Sequence, residues 1–299
     1  MAKRIFRGLG IALGALVGLL VLAVAVVYGV SSSRLSKQYE VQPEPVALSS
    51  DSAVVARGRH LAEARLGCAD CHAPDLGGRV MIESPAFGRI VAPNLTRGEG
   101  GIGGRYTDAD WVRATRHGVA ADGRALVIMP SPEFHRLSRE DLVAVLSYAR
   151  QVAPVDRTLP TSKFGPIARA MVTFSAEAVP ARALDHDSPF PAAPVEEVSA
   201  DYGRYLAGTG GCLGCHGPDL AGAPSHEPGG VPAANLTPAG RIGQWSETDF
   251  LRAMREGKRP DGSAIDPAMP WQAMGRMTDV ELQAIFAYLR SLPPVEKTS

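Results

Sequence analysis

Aromatic residues make up only 6% of the 299 positions, and cysteine occurs four times. Phe, Tyr and Trp supply much of the bulk of an ordinary core, so apolar mass must come from another source here. The cysteines, Cys68, Cys71, Cys212 and Cys215, form two tight pairs with no odd thiol. That excludes a disulfide framework, which belongs to short secreted domains. Net charge is absent as well: 31 basic residues balance 31 acidic ones, which gives no footing for a nucleic-acid partner. No segment carries a convincing strand alternation, so an all-α protein is expected. The zero charge conceals an asymmetry. Asp51–Val155 holds 13 Arg+Lys against 12 Asp+Glu, whereas Glu196–Glu296 holds 8 against 13, a difference that bears on docking and not on fold.

A long hydrophobic run is present at the N-terminus. Lys3, Arg4 and Arg7 precede 22 uncharged residues, Leu9 to Val30, enough to span the roughly 30 Å hydrocarbon core at about 1.5 Å per residue. Two readings compete: a cleaved signal peptide, whose apolar region is usually shorter, and an uncleaved signal anchor, which the length favours. Either leaves the N-terminus inside and exports the rest, in agreement with the positive flank, although Arg34 and Lys37 beyond the run reduce the bias. Gly10, Gly14 and Gly18 give one helical face small enough to pack on another helix, or are simply tolerated in lipid.

The exported part copies itself. "GRHLAEARLGCADCHAPDLGG" from Gly58 matches "GRYLAGTGGCLGCHGPDLAG" from Gly203; "APNLT" matches "AANLT"; "YTDADWVRATRHG" matches "WSETDFLRAMREG"; "LSREDLVAVLSYAR" matches "MTDVELQAIFAYLR". One domain is used twice, and each copy should hold one core and one site. Each reads as helix, loop, helix, loop, helix. Thr107 with Asp110, Ser246 with Asp249, Ser138 with Asp141 and Thr278 with Glu281 are helix starts. Leu142, Val145, Leu146 and Ala149 form an apolar stripe, repeated by Leu282, Ile285, Phe286 and Leu289. Gly58 and Gly203 fall on the first helices, with Tyr148 and Tyr288 on the last; each Gly is expected to let the two helices cross closely, the plain alternative being a glycine tolerated at some helix cost. Between the copies, Pro154, Pro160, Pro166, Pro180, Pro189, Pro191 and Pro194 mark a stiff, extended linker, in which Phe164–Phe174 is apolar enough to lie on a domain surface, with a short helix as one form it could take. The expected boundaries are 1–30 for the signal anchor, 31–52 for a tether, 53–155 for the first domain, 156–197 for the Pro-rich linker and 198–299 for the second domain.

Cys68-Ala-Asp-Cys71-His72 and Cys212-Leu-Gly-Cys215-His216 are both C-x-x-C-H, the haem c attachment signature. Two thiols three residues apart on a helical turn can each bond a vinyl group of one porphyrin, and the next residue sets an imidazole under the iron. A porphyrin would also supply the missing apolar mass. A zinc site would have to join pairs about 140 residues apart, outside the usual spacings, and a redox dithiol wants a βαβ context that is absent. The opposite ligand should also repeat: Met129 and Met269, each followed by Pro, stand 57 and 53 residues after their histidines. A thioether opposite imidazole raises the potential. Met81, Met171, Met254, Met274 and Met277 do not recur and read as core gap fillers. His60, His117, His135, His186 and His226 are unpaired between the copies and read as surface or packing residues.

With "CADCH" before "IMP" and "CLGCH" before "AMP", each half resembles a class I cytochrome c domain, over roughly Val54–Val155 and Val198–Val295. The resemblance implies two tandem class I cytochrome c domains after an N-terminal transmembrane helix, with two covalently bound haem c and His72/Met129 and His216/Met269 as axial pairs. The strings "NLT", "DGR/DGS", "MP…DL…Y" and "FGPIARAMVTF" are similar to cytochrome subunits of membrane-bound periplasmic dehydrogenases for alcohols, aldehydes or sugar acids, subunits that often carry three haems. With both faces of each iron taken, no position is left for a substrate, so an electron carrier without catalytic residues is expected. It would sit in the inner (cytoplasmic) membrane with its haem domains in the periplasm, taking electrons from a redox donor such as a periplasmic dehydrogenase and passing them to an oxidase or soluble cytochrome. A dihaem peroxidase or thiosulfate-dehydrogenase type of enzyme is the rival, and needs one iron to lose its Met. A chief role in tethering a dehydrogenase is the other.

Overall fold

The computed structural model describes residues 2–225 and 229–296, so His226 lies outside the described residues. Without a charge or proline to interrupt it, the N-terminal run is one helix, α1 (Ala2–Ser36), about 50 Å long. None of its most apolar stretch is buried, and nothing lies within 4 Å of a Cβ placed on Gly10, Gly14 or Gly18.

In the first half, Asp51 caps α2 (Ser52–His60), which continues through a π-helical turn, Leu61–Arg65, to α3 (Cys68–His72). A hairpin follows, β1 (Arg79–Ser84) and β2 (Gly88–Ala92). Next come α4 (Asp108–His117), α5 (Ser131–Phe134) and α6 (Arg139–Gln151). The connector contributes β3 (Lys163–Phe164), which extends the sheet from β2, and α7 (Pro166–Phe174). The second half holds α8 (Ala200–Thr209), α9 (Cys212–His216), α10 (Glu247–Glu256), α11 (Trp271–Met274) and α12 (Asp279–Ser291). The protein is thus mainly helical with a little sheet.

The small sheet corrects the expectation that strands are absent. Its residues alternate poorly because neither face is cleanly inside: Val80, Met81 and Ile82 are all half-buried, and the register breaks between Val80 and Ile82. A bulge of this kind destroys the period-two signal. Among the described residues, the second half has an isolated bridge at this place, Ala223 to Ala233.

The helix starts form as read. Thr107, Ser246 and Thr278 make reciprocal capping boxes with Asp110, Asp249 and Glu281, and Ser138 Oγ accepts from Asp141 N. Both apolar stripes are buried. Helix α6 crosses α2, and α12 crosses α8, so closely that a Cβ on Gly58 would lie 1.9 Å from Ala144 O, and one on Gly203 1.9 Å from Ala284 O. No side chain fits there, so glycine is required for the approach and not merely tolerated.

Between the halves lies a buried charge cluster. Arg65, its side chain 1% exposed, stands 3.4 Å from Asp141 and 3.8 Å from Glu281. Tyr205 Oη donates to Asp141 at 2.7 Å, Arg65 donates to Thr209 Oγ1 at 3.2 Å, and His60 Nε2 lies 2.8 Å from Glu281. Burial works against the Glu281 charge, but bonds from His60 and Thr278 hold its carboxyl below the usual range. Both carboxylates also occupy the first turn of a C-terminal helix, α6 or α12, so one set of charges starts those helices and joins the halves.

The N-terminal tether and the connector wrap the first half. Val46 and Leu48 pack on its core, Ser49 N donates to Ser147 Oγ at 2.8 Å, and Tyr39 N donates to Gly123 O at 2.8 Å. Phe190 lies under the guanidinium groups of Arg116 and Arg139, 4.2 and 4.7 Å from its ring centre. His117, His135 and His186 do pack: His117 is buried and lies 3.2 Å from His186 Nδ1, His135 bonds Ser188, and burial pushes His117 down to about 3. Met254 and Met277 fill the second core and Met274 packs on it. Met171 does not fit the gap-filler reading; it is exposed on α7.

Gly58→Ala and Gly203→Ala are expected to cost about 1–3 kcal/mol each by over-packing, read as a lower midpoint in chemical denaturation. Arg65→Leu removes one partner from each of two buried carboxylates, leaving Asp141 with Arg57 and Tyr205 and Glu281 with His60 and Thr278, and should cost about 1.5–3 kcal/mol, against about 1 kcal/mol for Tyr205→Phe.

Candidate functional site

Each C-x-x-C-H sequence is entered through a glycine with left-handed backbone, Gly67 (φ +59°) and Gly211 (φ +79°), a region that favours glycine. The turn that follows, α3 or α9, sets the two thiols and the imidazole within five residues. All four thiols are free of disulfides. Burial pushes Cys68 up to about 12 and Cys212 to about 11, the opposite of the depressed values of reactive thiolates. Among the described residues no group of three or more His, Cys, Asp or Glu side chains is placed to hold a metal ion, so the two pairs do not converge on a shared zinc.

Both histidine rings are buried and held in the same way. His72 Nδ1 bonds Pro93 O at 2.9 Å, and His216 Nδ1 bonds Ala234 O at 2.7 Å. Burial lowers both imidazoles below their ordinary range, and the carbonyl bond only partly offsets it. A neutral ring that donates from Nδ1 keeps its lone pair on Nε2, the form in which imidazole binds a metal.

The carbonyl is in turn fixed by the next residues, whose role the sequence reading missed. Asn94 Nδ2 donates to Val155 O at 2.7 Å, its Oδ1 accepts from Thr96 N at 2.9 Å, and Val155 N donates to Thr96 Oγ1 at 2.9 Å. In the second half Asn235 donates to Val295 O at 2.8 Å and accepts from Thr237 N at 2.9 Å, and Val295 N donates to Thr237 Oγ1 at 3.2 Å. The Asn-Leu-Thr string therefore clamps the histidine's acceptor to the chain leaving the last helix. Its recurrence in both copies was the signal that could have found it.

Cys68 and Met129 pack on one core, and Cys212 and Met269 on the other. Pro130 and Pro270, which follow the two methionines, stand at the N-caps of short helices, α5 and α11. Ile128 just before Met129 has φ +71°, a strained conformation for a β-branched residue that costs roughly 1–3 kcal/mol; Ala268 in the second half has none. Trp111 Nε1 is buried without an acceptor beside the first core, which suits a cofactor that carries carboxylates. Protonated thiols, a neutral imidazole with a free Nε2 and a thioether in the same core together fit haem c.

Residues 200–293 match the cytochrome c family. The chain is 34% identical over 282 residues to the cytochrome c subunit of alcohol dehydrogenase (quinone) from Gluconacetobacter polyoxogenes, covering 82% of this chain and 57% of that protein. It is 30% identical to the fructose dehydrogenase cytochrome subunit of Gluconobacter japonicus, covering 84% and 55%, so it spans under two thirds of the length of either. A diheme cytochrome c-type protein of Cereibacter sphaeroides is 28% identical, covering 92% of this chain and 97% of its own. The chain is thus a cytochrome c homologue, with a cytochrome c domain at residues 200–293 and kinship to the cytochrome c subunits of alcohol, fructose and gluconate dehydrogenases.

Proposed function

We propose that the chain is a dihaem electron carrier built from two tandem class I cytochrome c domains, at 53–155 and 198–299. It would be anchored by α1 in the inner membrane, with the domains on the periplasmic side. The observation that supports this most strongly is the doubled histidine setting: two C-x-x-C-H turns, each with Nδ1 tied to a clamped carbonyl and Nε2 left to bind iron.

Haem c supplies reversible one-electron chemistry at iron. Cys68 and Cys71, and Cys212 and Cys215, would hold it by thioether bonds. His72 and His216 would give nitrogen to the iron, oriented by Pro93 O and Ala234 O, while Met129 and Met269 would give sulfur. The protein's part would be to bury the group, exclude water and offer the iron two side-chain donors in each half, one imidazole and one thioether. This favours electron transfer over peroxidase-like chemistry. By likeness to the dehydrogenase subunits, the donor is a periplasmic dehydrogenase, and the acceptor an oxidase or soluble cytochrome.

Spectroelectrochemical titration of Met129→Ala should show one potential lowered and the other almost unchanged; equal shifts in both would contradict independent sites. Cys212→Ala combined with Cys215→Ala should leave one covalent haem by intact mass, and retention of two would sink the assignment.

A further inference from the structure

The connector helix α7 has two unlike faces. Ala168, Val172 and Thr173 are buried, and its polar side chains turn toward α1. Arg169 donates to Ser31 Oγ and Ser32 Oγ, both at 3.0 Å, and its guanidinium lies 4.7 Å from the Tyr28 ring centre. Thr173 Oγ1 donates to Val27 O at 3.2 Å, and Arg34 donates to the carbonyls of Val172 and Thr173. The other face is apolar and open: Ile167 is 44% exposed, Met171 45% and Phe174 78%. At spacings of four and three these side chains share one helical stripe, and no charge interrupts it.

The height of this stripe is set by its contacts. The uncharged run of α1 ends at Val30, and α7 is bonded to α1 at Val27, Ser31, Ser32 and Arg34, so it lies level with the point where α1 leaves the hydrocarbon. The helix that carries this stripe packs beside α1, which is itself exposed along its apolar length. Water is the wrong solvent for such a stripe at that height, whereas the boundary between headgroups and acyl chains accepts an apolar helix face with aromatic and arginine residues at its edge.

We infer that α7 is a second membrane contact, inserting Ile167, Met171 and Phe174 into the outer boundary of the same bilayer that α1 crosses. The inference rests on the anchoring role of α1. It has a consequence for the first site. Val172 shares a cluster with Ala178 and Val179, and Leu35 of α1 and Ala125 and Val127 of the Met129 loop pack against it. Lipid, α7 and that loop therefore form one packed series, which holds the Met129 side of the first half toward the membrane.

The test uses the full-length holoprotein in phosphatidylcholine vesicles that contain a lipid with a photoactivatable diazirine near the headgroup, with labelled peptides mapped by mass spectrometry. Label is expected on α1 and on residues 166–174. In the variant carrying Ile167→Ser, Met171→Ser and Phe174→Ser, label on α7 should fall to background while α1 keeps it; these side chains are exposed, and an unchanged absorption spectrum checks the fold. Label on α1 with none on 166–174 overturns the inference and leaves the anchor standing, and cross-linking of that face to a companion protein would then name its true occupant. Absence of label from both removes the anchor as well.

Discussion

A single hydrogen bond, from a buried imidazole Nδ1 to the carbonyl before Asn-Leu-Thr, organises each half. It fixes the tautomer, and so decides which nitrogen stays available. It also determines how far the loop after the C-x-x-C-H turn travels before returning. The Asn and Thr side chains then tie that loop to the backbone after α6 or α12, and those helices can reach their places only because Gly58 and Gly203 admit them. Histidine, loop and terminal helix are thus one mechanical unit, repeated with bond lengths that differ by a few tenths of an ångström.

The halves diverge where that unit imposes no demand. Among the described residues the hairpin is confined to the first half, where its second strand, β2, also pairs with β3 from the connector. The strained Ile128 and the unpaired Trp111 Nε1 are also confined to the first half. Phe250, which stands where Trp111 stands, has no N–H to satisfy and stacks on Phe286 at 5.4 Å instead.

What could be read from the sequence was whatever local chemistry determines. Thr107, Ser138, Ser246 and Thr278 announce helices because a hydroxyl cap acts within four residues. The C-x-x-C-H turns, the buried stripes and the two crossing glycines likewise declare themselves by spacing, and the repeat doubled each signal. Long-range partners carried no such mark. Arg65 meets Asp141 and Glu281 across 76 and 216 positions, and Asn94 meets Val155 across 61. The half-buried hairpin lacked the alternation that one wet face would impress. The connector's prolines signalled a stiff, extended chain, with the apolar Phe164–Phe174 laid on a domain surface, and the helix Pro166–Phe174 fits the latter. The structure also presses the connector onto the first half through Phe190 and His186.

The spacer after the N-terminal helix has a further mechanical meaning. Helix α1 ends at Ser36, and Gln38 already bridges to Arg124, with Tyr39 bonded beside it. One residue of slack, Lys37, cannot act as a swivel. Tilt or rotation of α1 within its solvent is transmitted to the first half as to a lever fixed at its fulcrum, and any partner that reaches this half must meet it in a narrow range of attitudes instead of waiting for it to turn.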